Sequence, residues 1–311
     1  MLGGLRICPW AARLGLVLGA TVVTLAVLEL VARAFVPMST HHLMFASSAD
    51  PELGLTLRPG ADFTFEGSPN APLPPSRVHI SAGGLRDRDP VQPKPNGTRR
   101  LVCVGDSTTF GWGVEAEQAF CQRLGGLLPA GWETVNLGVP GYNATQEVRR
   151  LEVHGLPLSP DIVLFLFDDN DLEPAHAEAN DGSWLAWLVD HSALAHWVHA
   201  RLASGEGPEA APEHDGLAAV LAAYSRLAQL AATHGFRVMV FLPAPDDQRA
   251  LTERLDTLGV PWASIRAAFD GPIEQLTFPG DGHPTAEGHR RLAELMARKL
   301  TARGLLTPRL R

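Results

Sequence analysis

The chain has 311 residues, with 26 Lys+Arg against 34 Asp+Glu and a formal net charge of −8. A chain this acidic lacks the basic surface with which a general nucleic-acid binder displaces counterions from phosphates, so no nucleic-acid partner is expected. A hydrophobic fraction of 45% with 19% charged residues excludes whole-chain disorder, and 3 cysteines (Cys8, Cys103, Cys121) are too few and too scattered for a disulfide framework or a CxxC zinc site.

The first element is an apolar helix. No charge falls between Leu14 and Leu28, and Arg6 and Arg13 precede the run. Continued through Glu29 to Val36 it reaches about 35 Å at roughly 1.5 Å per residue, enough for a hydrocarbon core of roughly 30 Å. Glu29 and Arg33 stand four apart on one face, where they can pair or snorkel. The basic flank puts the start of the chain on the cytoplasmic side. Residues 1–13 therefore read as a cytoplasmic N-terminus and 14–36 as a transmembrane signal anchor. The rest is expected to be extracytoplasmic, periplasmic in a Gram-negative cell. Ala32-Arg33-Ala34 has the small-x-small form of a cleavage site, so secretion after signal cleavage is the alternative. Cys8 precedes the apolar run, which gives no lipid-attachment motif.

Residues 37–99 read as a Pro/Gly-rich, partly β extension. Pro69, Pro72, Pro74, Pro75, Pro90, Pro93 and Pro95 argue against a regular core element there and for a tether or a collar. At Arg100 the pattern changes, and from 100 to 304 short apolar runs alternate with amphipathic segments; 305–311 is a tail. LVCVG from Leu101 precedes a helical stretch around 116–128, TVNLG from Thr134 precedes another over 144–154, and DIVLFLF from Asp161 is a third strand. A helix over about 183–202 and a polar loop lead to a helix beginning near Gly216. The second helix sets Leu217, Val220, Leu221, Tyr224, Leu227 and Ala231 on one face and stops at Gly235. FRVMVFL from Phe236 is a fourth buried strand, and the last helix, 286–303, is N-capped by Thr285. Continuous apolar strands between amphipathic helices predict a central parallel sheet covered on both faces, an α/β fold of the three-layer α/β/α sandwich type.

Trp184, Trp187, Leu188, Leu194, Trp197 and Val198 make an apolar face on the 183–202 helix. That face suits a lid or an acyl-chain surface near the membrane, while packing on the sheet or on a neighbour accounts for it more simply. His191, His196 and His199 share the helix without an acidic or cysteine ligand, so a solvated face is expected and no metal. Cys103 and Cys121 read as buried thiols, able to bond if their Cα atoms come within about 7 Å.

In such a sheet ligands sit beyond the carboxyl ends of the strands. Gly105-Asp106-Ser107 follows the first run, Gly138 and Gly141 the second, and Asp168-Asp169-Asn170-Asp171 the third; Asp281-Gly282-His283 precedes the last helix. These residue types fit one reaction. A serine attacks a carbonyl when a base removes its proton, and a histidine serves when a carboxylate holds its tautomer; Ser107, His283 and Asp281 can fill these roles. The N–H groups of Ser107 and Gly141 and the amide of Asn170 can receive the oxyanion, and Asp106 and Asp168 are candidate substrate contacts. Each block alone also reads as a polar turn; their order at successive strand ends sets them apart.

The blocks resemble those of the SGNH hydrolases, or GDSL-type esterases. The match runs through Gly105-Asp106-Ser107 with Thr108 to Val114, Asn136-Leu137-Gly138-Val139-Pro140-Gly141-Tyr142-Asn143, Asn170-Asp171, and Asp281-Gly282-His283-Pro284 with Gly288-His289 behind it. It looks most similar to membrane-anchored bacterial members, in which a segment like HISAGGLRDRDP, here 79–90, precedes the first strand. The resemblance covers about His79 to Arg303. It implies a flavodoxin-like SGNH fold, Ser107 as nucleophile, Gly141 and Asn170 as oxyanion donors, His283 as base and Asp281 as its partner, with no cofactor. Two positions depart from the pattern. Asp168 stands where the family often has glycine, and would repel anionic substrates or bind polar ones. The last block is Asp-x-His instead of the commoner Asp-x-x-His, with Gly280 at the longer offset.

The expected activity is hydrolysis of carboxylic esters through an acyl-enzyme, with the anchor directing it to envelope substrates such as O-acylated glycans or lipid esters. An O-acyltransferase acting on a polysaccharide would use the same triad. A non-catalytic envelope binding module is the third reading, against which stands a complete set of triad residues. The sequence carries no signal for oligomeric state.

Overall fold

The computed structural model describes residues 9–36, 40–68, 71–86, 88–174, 188–189, 191–203 and 215–307. In chain order the elements used below are α1 (Pro9–Phe35), β1 (Phe45–Ser47), β2 (Leu55–Leu57), β3 (Asp62–Ser68), β4 (Ala71–His79), β5 (Arg99–Val104), α2 (Ser107–Phe110) and α3 (Phe120–Gly125). There follow β6 (Trp132–Asn136), α4 (Ala144–Arg150), β7 (Ile162–Leu166), α5 (Ala193–Ala203), α6 (Gly216–His234), β8 (Arg237–Leu242), α7 (Arg249–Thr257), β9 (Trp262–Ser264), α8 (Ile273–Leu276) and α9 (Ala286–Ala302). The chain divides into two compact units, Met1–Ser39 with Asn180–Ala210, and Thr40–Ala179 with Ala211–Arg311.

The smaller unit contains α1 and α5. Among the described residues α1 is the one helix long and apolar enough to cross a membrane, over Arg13–Phe35, 23 residues, with Leu16, Val22, Leu30 and Phe35 exposed. α5 packs beside α1, so the apolar helix expected to lie on the sheet or on a neighbour has the neighbour as its partner. Trp184 and Trp187 lie outside the described residues.

The larger unit is built on a five-stranded parallel sheet of order β6-β5-β7-β8-β9. Alternate side chains of each strand enter opposite layers, as the two-residue period of a strand requires. Val102, Val104, Val163, Phe165, Val238 and Val240 pack under α4, α6 and α7 through Val148, Tyr224, Leu227 and Leu255. On the other face Leu101, Cys103, Ile162, Leu164, Met239 and Phe241 meet Phe120, Leu124, Leu292 and Met296 of α3 and α9. All five residues of β7 are buried, each large apolar side chain contributing about 1.5–3 kcal/mol. The helix ends follow their local chemistry. Asp215 accepts from the Ala218 N–H at the start of α6, Gly235 ends α6 at φ 78°, and the Thr285 side chain accepts from the Gly288 N–H at the start of α9.

Three expectations are corrected. A fifth strand, β9, closes the sheet beside β8; at three residues and with one small apolar side chain inward it carries no readable run. The 116–128 stretch is split into a 3-10 turn at Ala116–Gln118 and the short α3, while α4 ends early in a π-turn at Leu151–Gly155. The prolines of the extension do not exclude a regular core element. β4 contains Pro72, Pro74 and Pro75 and pairs with β3. Pro74 and Pro75 fall where the register shifts between Phe65 and Gly67, so the ladder asks no N–H of them. This hairpin, with β1, β2 and the turns that precede them, supplies Met44, Leu53, Leu57, Phe65, Leu73 and Val78 to a third core that also takes in Phe110, Val139 and Tyr142. Within the 79–90 segment, Arg86 is buried, donates to the Val114 carbonyl at 3.0 Å and lies over the Phe110 ring.

Cys103 on β5 and Cys121 on α3 form a disulfide, with Cα atoms 6.2 Å apart. Closing a loop between positions 18 apart constrains the unfolded chain, an effect of about 3 kcal/mol for loops of roughly this size. The double variant Cys103→Ala, Cys121→Ala is therefore expected to melt several degrees lower than the parent. Equal melting of the two proteins without reductant would show that the bond contributes nothing.

Candidate active site

The sheet order reverses between β5 and β7: the chain leaves β5 for β6 on one side and returns to β7 on the other. Their carboxyl ends therefore flank a crevice left open by diverging connections. Ser107 enters it directly after β5. Gly105 makes the turn possible, since a Cβ there would stand 2.1 Å from Thr109 Oγ1. The Asp106 side chain caps the short helix α2 by accepting from the Thr108 N–H at 3.0 Å. Ser107 is held at the first position of that turn and is 8% exposed.

The histidine comes from the loop between α8 and α9. A bond from the Phe278 N–H to the His283 carbonyl, 2.8 Å, closes this loop, and Gly282 takes its left-handed turn at φ 90°. His283 Nε2 lies 2.7 Å from Ser107 Oγ, and His283 Nδ1 lies 2.6 Å from Asp281 Oδ1. The Trp112 ring stands 5.6 Å from the His283 ring, and Phe65 of β3 meets Trp112 edge-on at 4.4 Å. The imidazole is thus fixed on one side by a carboxylate and on another by an aromatic wall that begins in the N-terminal hairpin.

Asp106 joins the blocks. It is 2% exposed. Its Oδ2 lies 3.1 Å from Ser107 Oγ and accepts from Asn170 Nδ2 at 2.9 Å, while Oδ1 serves Thr108. Asn170 lies on a 3-10 turn, Asp169–Leu172, directly after β7. Thr108 Oγ1 donates to Asp168 Oδ2 at 3.4 Å, which brings the third candidate carboxylate to the same edge. Ser107, His283, Asp281, Asp106, Asn170 and Asp168 therefore form one connected group. Gly141 stands outside these bonds. It sits on the loop after β6 at φ 79°, a conformation in which a side chain is strained. Gly138 on the same loop is required for space, since a Cβ would lie 2.3 Å from the Phe110 N–H nitrogen.

Burial, and next to it the charge of Asp106, pushes the Asp168 carboxyl up to about 6. The folded protein thus holds this proton more tightly than the unfolded chain, so stability is lost as pH rises from about 4 through 6. Asp168→Asn is expected to melt with the parent below pH 4 and increasingly above it from pH 4 to 6, with no further gain at higher pH. A melting difference independent of pH would remove the carboxylate as its cause.

Two further acids, one of them inside the Asn170-Asp171 block, carried no assigned role in the sequence. Glu147 on α4 and Asp171 on the Asn170 turn are buried, and burial, reinforced by neighbouring aspartates, raises both well above the usual carboxylate range. Asp171 Oδ2 accepts from the Asp168 N–H at 3.0 Å and so shapes the turn that carries Asn170. Glu147 was detectable: it falls with Ala144, Val148 and Leu151 on the apolar face of its helix, a place where an acid is costly. His289, behind the last block, is fully buried, accepts from the Phe120 N–H and is lowered to about 3 by burial, so it is a neutral packing residue. Among the described residues no group of three or more His, Cys, Asp and Glu side chains is arranged to hold a metal ion.

Residues 103–291, more than half of the chain, match the GDSL-like lipase/acylhydrolase family. The chain belongs to that family. Similar solved structures include a GDSL-like lipase from Bacteroides thetaiotaomicron, 17% identical over 69% of this chain and 93% of the other, TM-score 0.44. An acetyl xylan esterase from Geobacillus stearothermophilus is 19% identical over 65% and 94%, TM-score 0.45. A lipase/acylhydrolase from Enterococcus faecalis is 16% identical over 66% and 97%, TM-score 0.43. No curated protein matches the chain.

Proposed function

We propose that the protein is a membrane-anchored, extracytoplasmic serine esterase that cleaves carboxylic esters through an acyl-enzyme. The observation that carries this reading is the continuous chain from Ser107 Oγ to His283 Nε2 at 2.7 Å and from His283 Nδ1 to Asp281 at 2.6 Å, at the mouth of the crevice.

Asp281 accepts the proton-bearing Nδ1 of His283, leaving Nε2 to take the Ser107 proton as Oγ attacks the ester carbonyl. The oxygen that becomes negative is received by the Ser107 and Gly141 N–H groups and by the Asn170 amide. Asp106 already holds one Asn170 hydrogen, so it aims the amide and acts as a positioning group more than as a substrate contact. His283 then returns the proton to the leaving alcohol, and water repeats the sequence to release the acid. Asp168, at the edge of this group, disfavours anionic substrates and suits hydroxyl-rich ones.

Two features support this location. Arg6 and Arg13, ahead of the apolar run, favour a cytoplasmic start and an exported catalytic unit, and a disulfide persists in oxidising compartments. Envelope glycans carrying O-acyl groups, or lipid esters, are the substrates within reach of such an enzyme. A fluorophosphonate probe on the full chain tests the reading without knowledge of the substrate: labelling at Ser107 that His283→Ala removes is expected. An unlabelled Ser107 in folded protein would reject it, and product analysis with a glycan acceptor present separates hydrolysis from transfer.

A further inference from the structure

We propose that α5 is a second membrane element, an interfacial helix seated in the outer leaflet, held there by the Glu29 carboxylate of α1 and turning Trp197, Val198 and Leu202 toward lipid. The proposal rests on the reading of α1 as a membrane span.

An acid within an apolar spanning helix is costly unless its oxygens are satisfied. Glu29 is satisfied mainly by the start of α5. Its Oε1 accepts from the Ala193 N–H at 3.1 Å and from Arg33 Nε at 2.7 Å; its Oε2 accepts from Ser192 Oγ at 2.7 Å and from the Leu194 N–H at 3.1 Å. Ser192 is at the same time the N-cap of α5, its Oγ accepting from the Ala195 N–H at 3.1 Å. Arg33 Nη2 reaches the His191 carbonyl at 2.8 Å. Both members of the Glu29–Arg33 pair thus engage the segment that opens α5, and an anion at a helix N-terminus is favoured by the helix dipole. Ala193 is fully buried at this contact, as a close approach of two helices requires.

The docking fixes a depth. Glu29 precedes Phe35, the end of α1, by about 9 Å along the axis, and interfacial helices bury their apolar face by roughly 5–10 Å. The exposed side chains of α5 beyond its docked start have the matching chemistry. Trp197, Val198 and Leu202 are 46%, 40% and 71% exposed, and the Arg201 guanidinium lies 5.3 Å over the Trp197 ring. An aromatic residue rimmed by a cation suits the headgroup boundary. α1, in the same unit, exposes Leu16, Val22, Leu30 and Phe35, and one bilayer would cover the apolar side chains of both helices. The chain between the Asn170 turn and α6 would then be tethered to the membrane independently of the N-terminal link.

The test places an environment-sensitive fluorophore on single cysteines in the full chain, in nanodiscs of brominated or ordinary phosphatidylcholine. Cys8→Ala removes the free thiol, and the reporters are Val22→Cys for the span and Leu202→Cys for α5. Both are expected to be quenched by brominated lipid, and Glu29→Ala should abolish quenching at position 202 while leaving position 22 unchanged. Quenching at 22 without quenching at 202 overturns the proposal and leaves the span intact. No quenching at 22 removes the span, and the proposal with it. Quenching at 202 that survives Glu29→Ala overturns the role given to Glu29.

Discussion

Ser107→Ala is expected to lower kcat for a short aryl ester by roughly four orders of magnitude or more, the scale on which loss of a nucleophile acts in a serine triad. The reason is specific to the covalent path. Without Oγ the His283 base has no proton to take, and only direct attack of water on a bound ester remains, assisted by whatever the oxyanion donors supply. The substitution removes one oxygen from a side chain that is 8% exposed and is not part of any core cluster. The melting temperature should therefore stay close to the parent's, and fluorophosphonate labelling should vanish. A variant retaining a tenth of the parent activity would show that another group carries the reaction.

Asp281→Asn tests the orientation of the base and should cost about 10⁴-fold in kcat, with KM little changed. Asp281 Oδ1 receives both the ring Nδ1 at 2.6 Å and the His283 backbone N–H at 3.2 Å, so one atom sets the ring's plane and its tautomer. Asparagine is nearly the same shape but can present an N–H to Nδ1. The imidazole proton then moves to Nε2, which can no longer accept from Ser107. The offset of Asp281 from His283 makes this comparison decisive for the shorter Asp-x-His spacing. Full activity in the Asn variant would assign the carboxylate role elsewhere.

Much of the larger unit could be read from sequence because its strands are buried on both faces. A run such as DIVLFLF has few physical alternatives between two helices, and Gly235 and Thr285 mark helix ends by backbone and side-chain chemistry that acts locally. What escaped depends on partners distant in the chain. β9 is a strand only because β8 offers an edge, and Pro74 and Pro75 fit within β4 only because β3 shifts register opposite them. The candidate site divides the same way. Ser107 opens the turn after β5, and Asp281 and His283 stand in the short loop before the last helix, which made them visible. By contrast, five carboxylates in the candidate blocks (Asp106, Asp168, Asp169, Asp171 and Asp281) are chemically alike in sequence. Only distances separate Asp106, which binds Ser107 and Asn170, from Asp171, which is buried and shapes a turn. Trp112 was visible as part of a motif, yet its tilted approach to the His283 ring was not.

The hairpin of β3 and β4 bears on where the smallest working enzyme begins. The family match starts at residue 103, and the parallel sheet starts with β5. A fragment cut at that boundary would lack Phe65, the ring that braces Trp112 against His283, and Leu73 beside Gly113. It would also expose Phe110, Val139 and Tyr142, which now share a core with Met44 and Leu57. The segment between α1 and the sheet thus forms the wall behind His283, and the shortest fragment expected to keep that wall starts near Thr40.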